Sequence, residues 1–135
     1  MAISSIRQEG SVRSAERALE RALAAAQTAH ENRGRNIQIL DLRELTTEFD
    51  FFVIATGTSV RQMHAISDEI DHKLEDDLHD KRQGIEGYKQ AGWVLLDYGD
   101  VVIHLFDENS RDYYRLDELW SAAKRVPFTP KDPAK

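Results

Sequence analysis

The sequence predicts a single α/β domain: one mixed β-sheet with helices packed on its faces. Three observations carry that prediction. Two apolar runs, residues 93–96 and 101–106, flank the short polar break Asp97-Tyr98-Gly99-Asp100. That is the pattern of a β-hairpin whose Gly99 can take positive φ in a two-residue turn. Residues 51–56 form a nearly continuous apolar run, suited to a strand buried on both faces, and Gly57-Thr58-Ser59 then opens a helical stripe. The whole order reads helix, strand, strand, helix, hairpin, helix, which layers helices against a sheet.

Taken in order, residues 1–10 mix Ser, Arg, Gln, Glu and Gly with isolated Ile and read as a mobile lead. From Ser11 the spacing of Val12, Ala15, Leu19, Ala22, Leu23 and Ala26 is helical. Ser11, or else Ser14, serves as N-cap, and Gly34 stands where a left-handed residue would end the helix. Arg13, Arg17 and Arg21 fall on the opposing side, a solvated face supported by Glu16 and Glu20, with an RNA-binding stripe as the alternative. Residues 37–42 read as a first strand, and Thr46, Thr47, Glu48 and Asp50 as the polar loop to the second.

Ser59 and Gln62 have the form of a capping box, and Met63, Ile66, Ile70, Leu74 and Leu78 continue the apolar stripe. The other side of that helix is acidic (Asp68, Glu69, Asp71, Glu75, Asp76, Asp77, Asp80), a solvated face or a docking surface for a basic protein. Residues 81–84 stop it, and Ile85-Glu86-Gly87 lead into the hairpin. In the second hairpin strand Val101, Ile103 and Leu105 point one way, and Val102, His104 and Phe106 the other, so both sheet faces are covered. Leu116, Leu119, Trp120 and Ala123 share a helical face that can fold back onto the sheet. With three prolines, residues 127–135 form a disordered tail, which leaves 11–126 as the domain.

The 135 residues suffice for a core without staples, and there is no cysteine to supply disulfides or thiolates. The chain shows neither an apolar run of membrane-spanning length nor the apolar core of a signal peptide, so a soluble, cytoplasmic protein is expected. A net charge of -6 opposes phosphate binding and suits a basic partner.

No catalytic constellation emerges. Gly57-Thr58-Ser59 could offer amides to a phosphate, but it lacks the spacing and lysine of a P-loop. Asp97 and Asp100 could hold Mg²⁺, yet they flank a turn and read as its caps. His72 and His79 lie about 10 Å apart along a helix, too far for one ion. His30 and His64 have no co-ligand, and His104 reads as a core imidazole. Neither a metal nor a cofactor is expected. What remains is surface recognition: Trp93, Tyr98, Phe106, Arg111, Tyr113, Tyr114 and Trp120 concentrate interface-forming residue types in one stretch. Trp120 reads as core, and Tyr98, at a turn tip, as an interface residue.

The run GWVLLDYGDVVIHLF (92–106), followed by Arg111, Tyr114, Leu116, Leu119 and Trp120, resembles the ribosomal silencing factor family, also called Iojap-like. DFFVIATGTSVRQ (50–62) and Glu86-Gly87 match the same family in the right order, so the resemblance spans residues 37–120. One departure is Asp117, where the family usually has Glu. The resemblance implies a nucleotidyltransferase-like topology used without catalysis. It further implies a translational repressor that binds the large ribosomal subunit through its protein L-fourteen and blocks joining of the small subunit. Contact residues carried over by motif are Trp93, Tyr98, Gly99, Asp100, Phe106, Arg111 and Tyr114. Little direct nucleic-acid binding is expected, and members can self-associate, so a homodimer of the free chain is expected as well. The alternative is a nucleotide-binding or nucleotidyltransferase-like enzyme using Gly57-Thr58-Ser59 with Asp97 and Asp100.

Overall fold

A computed structural model describes residues 2–90 and 92–132, with side chains from residue 16 onward. The elements are α1 (Ala2–Glu31), β1 (Arg35–Asp41), β2 (Phe51–Gly57), α2 (Val60–His72), a π-helical turn (Lys73–Asp77), β3 (Gly84–Glu86), β4 (Trp93–Asp97), β5 (Val101–Asp107), α3 (Glu108–Tyr114), α4 (Leu116–Leu119) and β6 (Lys124–Arg125). Among the described residues the strands form one sheet in the order β3-β4-β5-β2-β1-β6. Only β2 and β5 run parallel; the other pairs are antiparallel, so the sheet is mixed.

Strand alternation divides the core between the two faces. Phe51, Val53 and Ala55 of β2 and Val101, Ile103 and Leu105 of β5 pack under α1 and α2, against Ala18, Ala22, Ala25, Ala29, Met63, Ile66 and Ile70. The alanines let the α1 backbone lie close to the strands. Phe52, Ile54, Val102 and Phe106 point the other way, where Leu116, Ala123, Phe49, Trp93, Leu95 and Trp120 cover them. Both long helices therefore share one face, and the second is capped by side chains and the short α3–α4 segment. Leu116 and Trp120 fold back as expected, whereas Leu119 is 75% exposed. Arg115, with a left-handed φ of 47°, separates α4 from α3, and α4 is a single turn that ends at Trp120 (φ -105°), so the helical spacing does not continue.

The helical backbone of α1 begins at Ala2, within the segment expected as a mobile lead and ahead of the expected Ser11 cap. Its left-handed terminal residue is Arg33 (φ 66°), not Gly34. Gly34 is required for closeness instead: a Cβ there would lie 2.8 Å from the Ala29 carbonyl oxygen. Arg21 is not on a solvated face. It is buried and bridges Asp80 at 2.5 Å and Asp100 at 2.8 Å, tying α1 to the loop after α2 and to the hairpin turn. Burial alone would lower its pKa, but the two carboxylates more than offset that and raise it. The tail after β6 has no regular structure yet follows a fixed path through residue 132. Val126 N–H donates to Ile39, Phe128 packs on the core, and Gln27 both donates to and accepts from the Lys131 backbone. Prolines forbid a helix but not an anchored extended chain.

The two sheet edges differ from a generic open rim. One is β3, three residues long, and the other is the two-residue β6, charged and followed by Pro127.

Candidate functional site

The second face of the sheet carries the site. Trp93 on β4 stands opposite Phe106 on β5, and its ring lies 4.9 Å from Phe106 and 4.7 Å from Tyr114 of α3. Tyr113 meets Tyr114 edge-on at 5.0 Å. Tyr114 is 49% exposed and Tyr113 81%, so an aromatic ridge rises from the core to the surface. α3 is held to β5 by Asp107, whose carboxylate caps the Ser110 N–H at 2.7 Å.

Beneath the ridge the Trp93 indole N–H donates to His104 Nδ1 at 3.2 Å, which places the imidazole proton on Nε2. Nε2 itself is buried and has no partner among the described residues, and burial pulls the His104 pKa down to about 3. The ring is a neutral core imidazole, packed edge-on against Phe52 at 4.6 Å, as its apolar neighbours suggested.

Arg111 fixes the base of the ridge. Its Nη1 donates to Thr56 Oγ1 at 2.9 Å, and its Nε lies 3.8 Å from Asp117. Burial draws its pKa below the ordinary arginine value, against the attraction of Asp117. Asp117, the departure from the family pattern, thus keeps its charge beside Arg111. With Glu108, Asp112, Arg115 and Glu118 these groups line a cleft of about 450 Å³ just beyond the carboxyl ends of β2 and β5. Its charges are of both signs and mostly acidic.

Of the residues carried over by motif, Trp93, Phe106, Arg111 and Tyr114 therefore come together. Phe106 is fully buried and supports the site from below. Tyr98, Gly99 and Asp100 do not join them. They lie at the other end of the hairpin, about 17 Å away along β4 at ~3.3 Å per residue. Tyr98 is not an open turn-tip aromatic: it is 2% exposed, and its hydroxyl donates to Asp71 at 2.9 Å. Burial, then Asp71, raises its pKa far above the usual phenol range. Helix α2 supplies the cover that the turn itself could not. Gly99 takes φ 88°, Asp97 accepts its N–H as a turn cap, and Asp100 is engaged by Arg21.

The components of the enzymatic alternative are also dispersed. Thr58 N–H is satisfied by the Gln62 side chain at 2.5 Å, and Gly57 pairs with Asp107, whereas Asp100 adjoins the start of β2. The length of β2, about 20 Å at ~3.3 Å per residue, separates turn from carboxylates. Among the described residues no group of three His, Cys, Asp or Glu could hold a metal ion. His30 instead meets Asp132, and His64 stacks on Tyr88 and contacts its carbonyl oxygen.

Sequence reasoning did not pick out Phe49 or Ser110, and it named Glu86 and Leu95 only within motifs, without placing them on this face. Phe49 sat in a loop of polar residues, Glu86 and Leu95 became neighbours only through strand pairing, and Ser110 is brought in by the Asp107 cap of α3.

The family model for the ribosomal silencing factor during starvation matches residues 15–135. The chain belongs to the ribosomal silencing factor family. A ribosomal silencing factor of Halalkalibacterium halodurans is 35% identical over 102 residues, which cover 76% of this chain and 86% of that one. One of Bacillus subtilis is 39% identical over 100 residues, covering 73% and 83%. The crystal structure of a Chromobacterium violaceum protein superposes with a TM-score of 0.73 at 32% identity, covering 86% of this chain and 89% of that one. The family match runs from within α1 through the segment that follows β6.

Proposed function

We propose that this silencing factor is a translational repressor that binds the large ribosomal subunit through its protein L-fourteen and blocks docking of the small subunit. The observation that carries the reading is the thinly covered sheet face, where Trp93, Tyr114 and Tyr113 rise to the surface, and α3 and α4 also carry Asp112, Asp117 and Glu118 on the neighbouring cleft around Arg111. Aromatic anchors beside charged residues are the composition of a protein-recognition surface, and acidic neighbours suit a basic ribosomal protein. The chain's net charge of -6 would steer such an encounter. Repression needs no chemical step: the bound factor occupies space, and mass action holds the subunits apart. Contact is assigned to Trp93, Arg111 and Tyr114, joined by Tyr113 and Leu119. Tyr98, Gly99, Asp100 and Phe106 shape the body that presents them.

The same reading takes the mixed sheet as a nucleotidyltransferase-like topology put to non-catalytic use in the cytoplasm, with the aromatic face able to pair two free copies. The enzymatic alternative loses support because its turn and its carboxylates lie at opposite ends of β2. Co-sedimentation with isolated large subunits is the test. The wild-type chain should pellet with them, and Tyr113→Ala with Leu119→Ser should weaken that association at least tenfold. Unchanged association would move the contact surface elsewhere, and absent association by the wild type would end the reading.

A further inference from the structure

We propose that the cleft between β4, the β3–β4 connection and α3 is a receptor for one arginine side chain of a basic partner. As to who supplies the arginine, this rests on the function proposed above; as to the receptor, it stands on geometry. The cleft encloses about 250 Å³, room for one long side chain, and Glu86, Gly87, Trp93, Leu95, Ser110 and Tyr114 line it.

One side is the Trp93–Tyr114 pair, packed on each other at 4.7 Å between centroids and tilted by 49°, and the other is the Glu86-Gly87 segment. Ring faces carry negative charge density and attract cations, indole most strongly. The rim adds a full charge. Glu86 stands opposite Leu95 in the β3–β4 register, and directly opposed residues share a sheet face. That face is the one bearing Trp93, the diagonal neighbour at about 7–8 Å. Glu86 is exposed, and none of the ion pairs among the described residues involves it.

Two glycines shape the cleft. Gly87 and Gly92 have φ of 78° and 103°, and a Cβ at either would collide, with the Trp93 carbonyl oxygen and the Ser110 hydroxyl respectively. An apolar plug would gain nothing from the Glu86 carboxylate, whereas a cation would. A guanidinium can lie flat against indole while its edge meets a carboxylate as a fork, which an ammonium cannot do.

The chain contains two tryptophans, so the Trp93 indole N–H resonance is resolved against Trp120 as an internal control. The probe is acetyl-Gly-Arg-Gly-amide, compared with the citrulline and leucine peptides. The arginine peptide should shift the Trp93 signal saturably and leave Trp120 unmoved, while the other two do nothing. Glu86→Gln, at an exposed position, should weaken that titration about threefold to fivefold. Glu86→Lys should weaken binding to large subunits about tenfold, with an unchanged melting temperature.

A citrulline peptide as effective as the arginine one, or no peptide response at all, overturns the receptor. Glu86→Lys that binds subunits like the wild type overturns its use in docking. If the wild type ignores large subunits while the arginine peptide still moves Trp93, the proposed function falls and the receptor stands.

Discussion

The two faces of one sheet are finished in different ways. Under α1 and α2 the cover is continuous: small alanines and branched aliphatics meet the strands, and among the described residues of the two helices only Val60, at the start of α2, is a large apolar side chain left in the open. On the reverse face the cover is a few rings, partly buried at one edge and wet at the other. The first arrangement gives nearly all its contact area to stability. The second keeps the floor dry with Phe52, Ile54 and Phe106 and leaves Trp93, Tyr113, Tyr114 and Leu119 something to offer a partner. Where a chain places its long helices thus decides which face remains available.

That contrast can be broken at several points. The largest effect is expected from Ile70→Ala beneath α2, which opens a cavity on the continuous face and should cost about 2–5 kcal/mol in urea denaturation. Its affinity for large subunits, measured below the unfolding range, should not change. A loss of affinity with intact folding would show that the helical face also takes part.

Next is Arg21→Ala, which leaves Asp80 and Asp100 without their shared cation. About 3 kcal/mol is expected, the low end for a buried pair because the Asp100 side chain is 31% exposed. Amide exchange should report opening of the α1–hairpin junction before that of the aromatic face. Uniform exchange across both would remove the distinction.

His104 supplies a third test, on the floor of the reverse face. Its folded pKa is depressed to about 3, while an unfolded histidine titrates near 6.5. Between those values the unfolded chain binds the proton and the folded chain does not. The contribution is therefore fully present above pH 6.5 and is lost as pH falls, by up to about 1.4 kcal/mol per unit. Melting temperature should drop from pH 6.5 to 5, and His104→Leu should flatten that slope. A parallel slope in the variant would mean that the imidazole is solvated.

The smallest stability effect belongs to Tyr113→Ala, within about 0.5 kcal/mol for so exposed a ring. Its effect on subunit binding should nonetheless exceed those of the core variants. Were its stability cost to rival that of Ile70→Ala, the faces would not differ as described.

Much of this architecture is local and so was legible in the residues. The hairpin around Gly99, the alternation along β5, the all-buried β2 and the Ser59 cap each follow from patterns a few residues long. Three of the misreadings share one cause, a partner distant in the chain. Tyr98 looked exposed because Asp71 and α2, which cover it, lie 27 residues earlier. Arg21 looked solvated because Asp80 and Asp100 are 59 and 79 residues away. The tail looked free because Gln27 and Ile39 hold it from the opposite end of the sequence. At the site, Trp93, Arg111 and Tyr114 were legible as interface types. That Phe106 lies below them, and that Glu86 stands beside Trp93, are consequences of strand register.

The rims of the sheet set the kind of crowding this protein can suffer. A margin of three residues at β3, and one of two basic residues ended by a proline at β6, offer an incoming strand almost nothing to zip onto. Margins so short and so charged discourage edge-to-edge pairing with the strand of a neighbour.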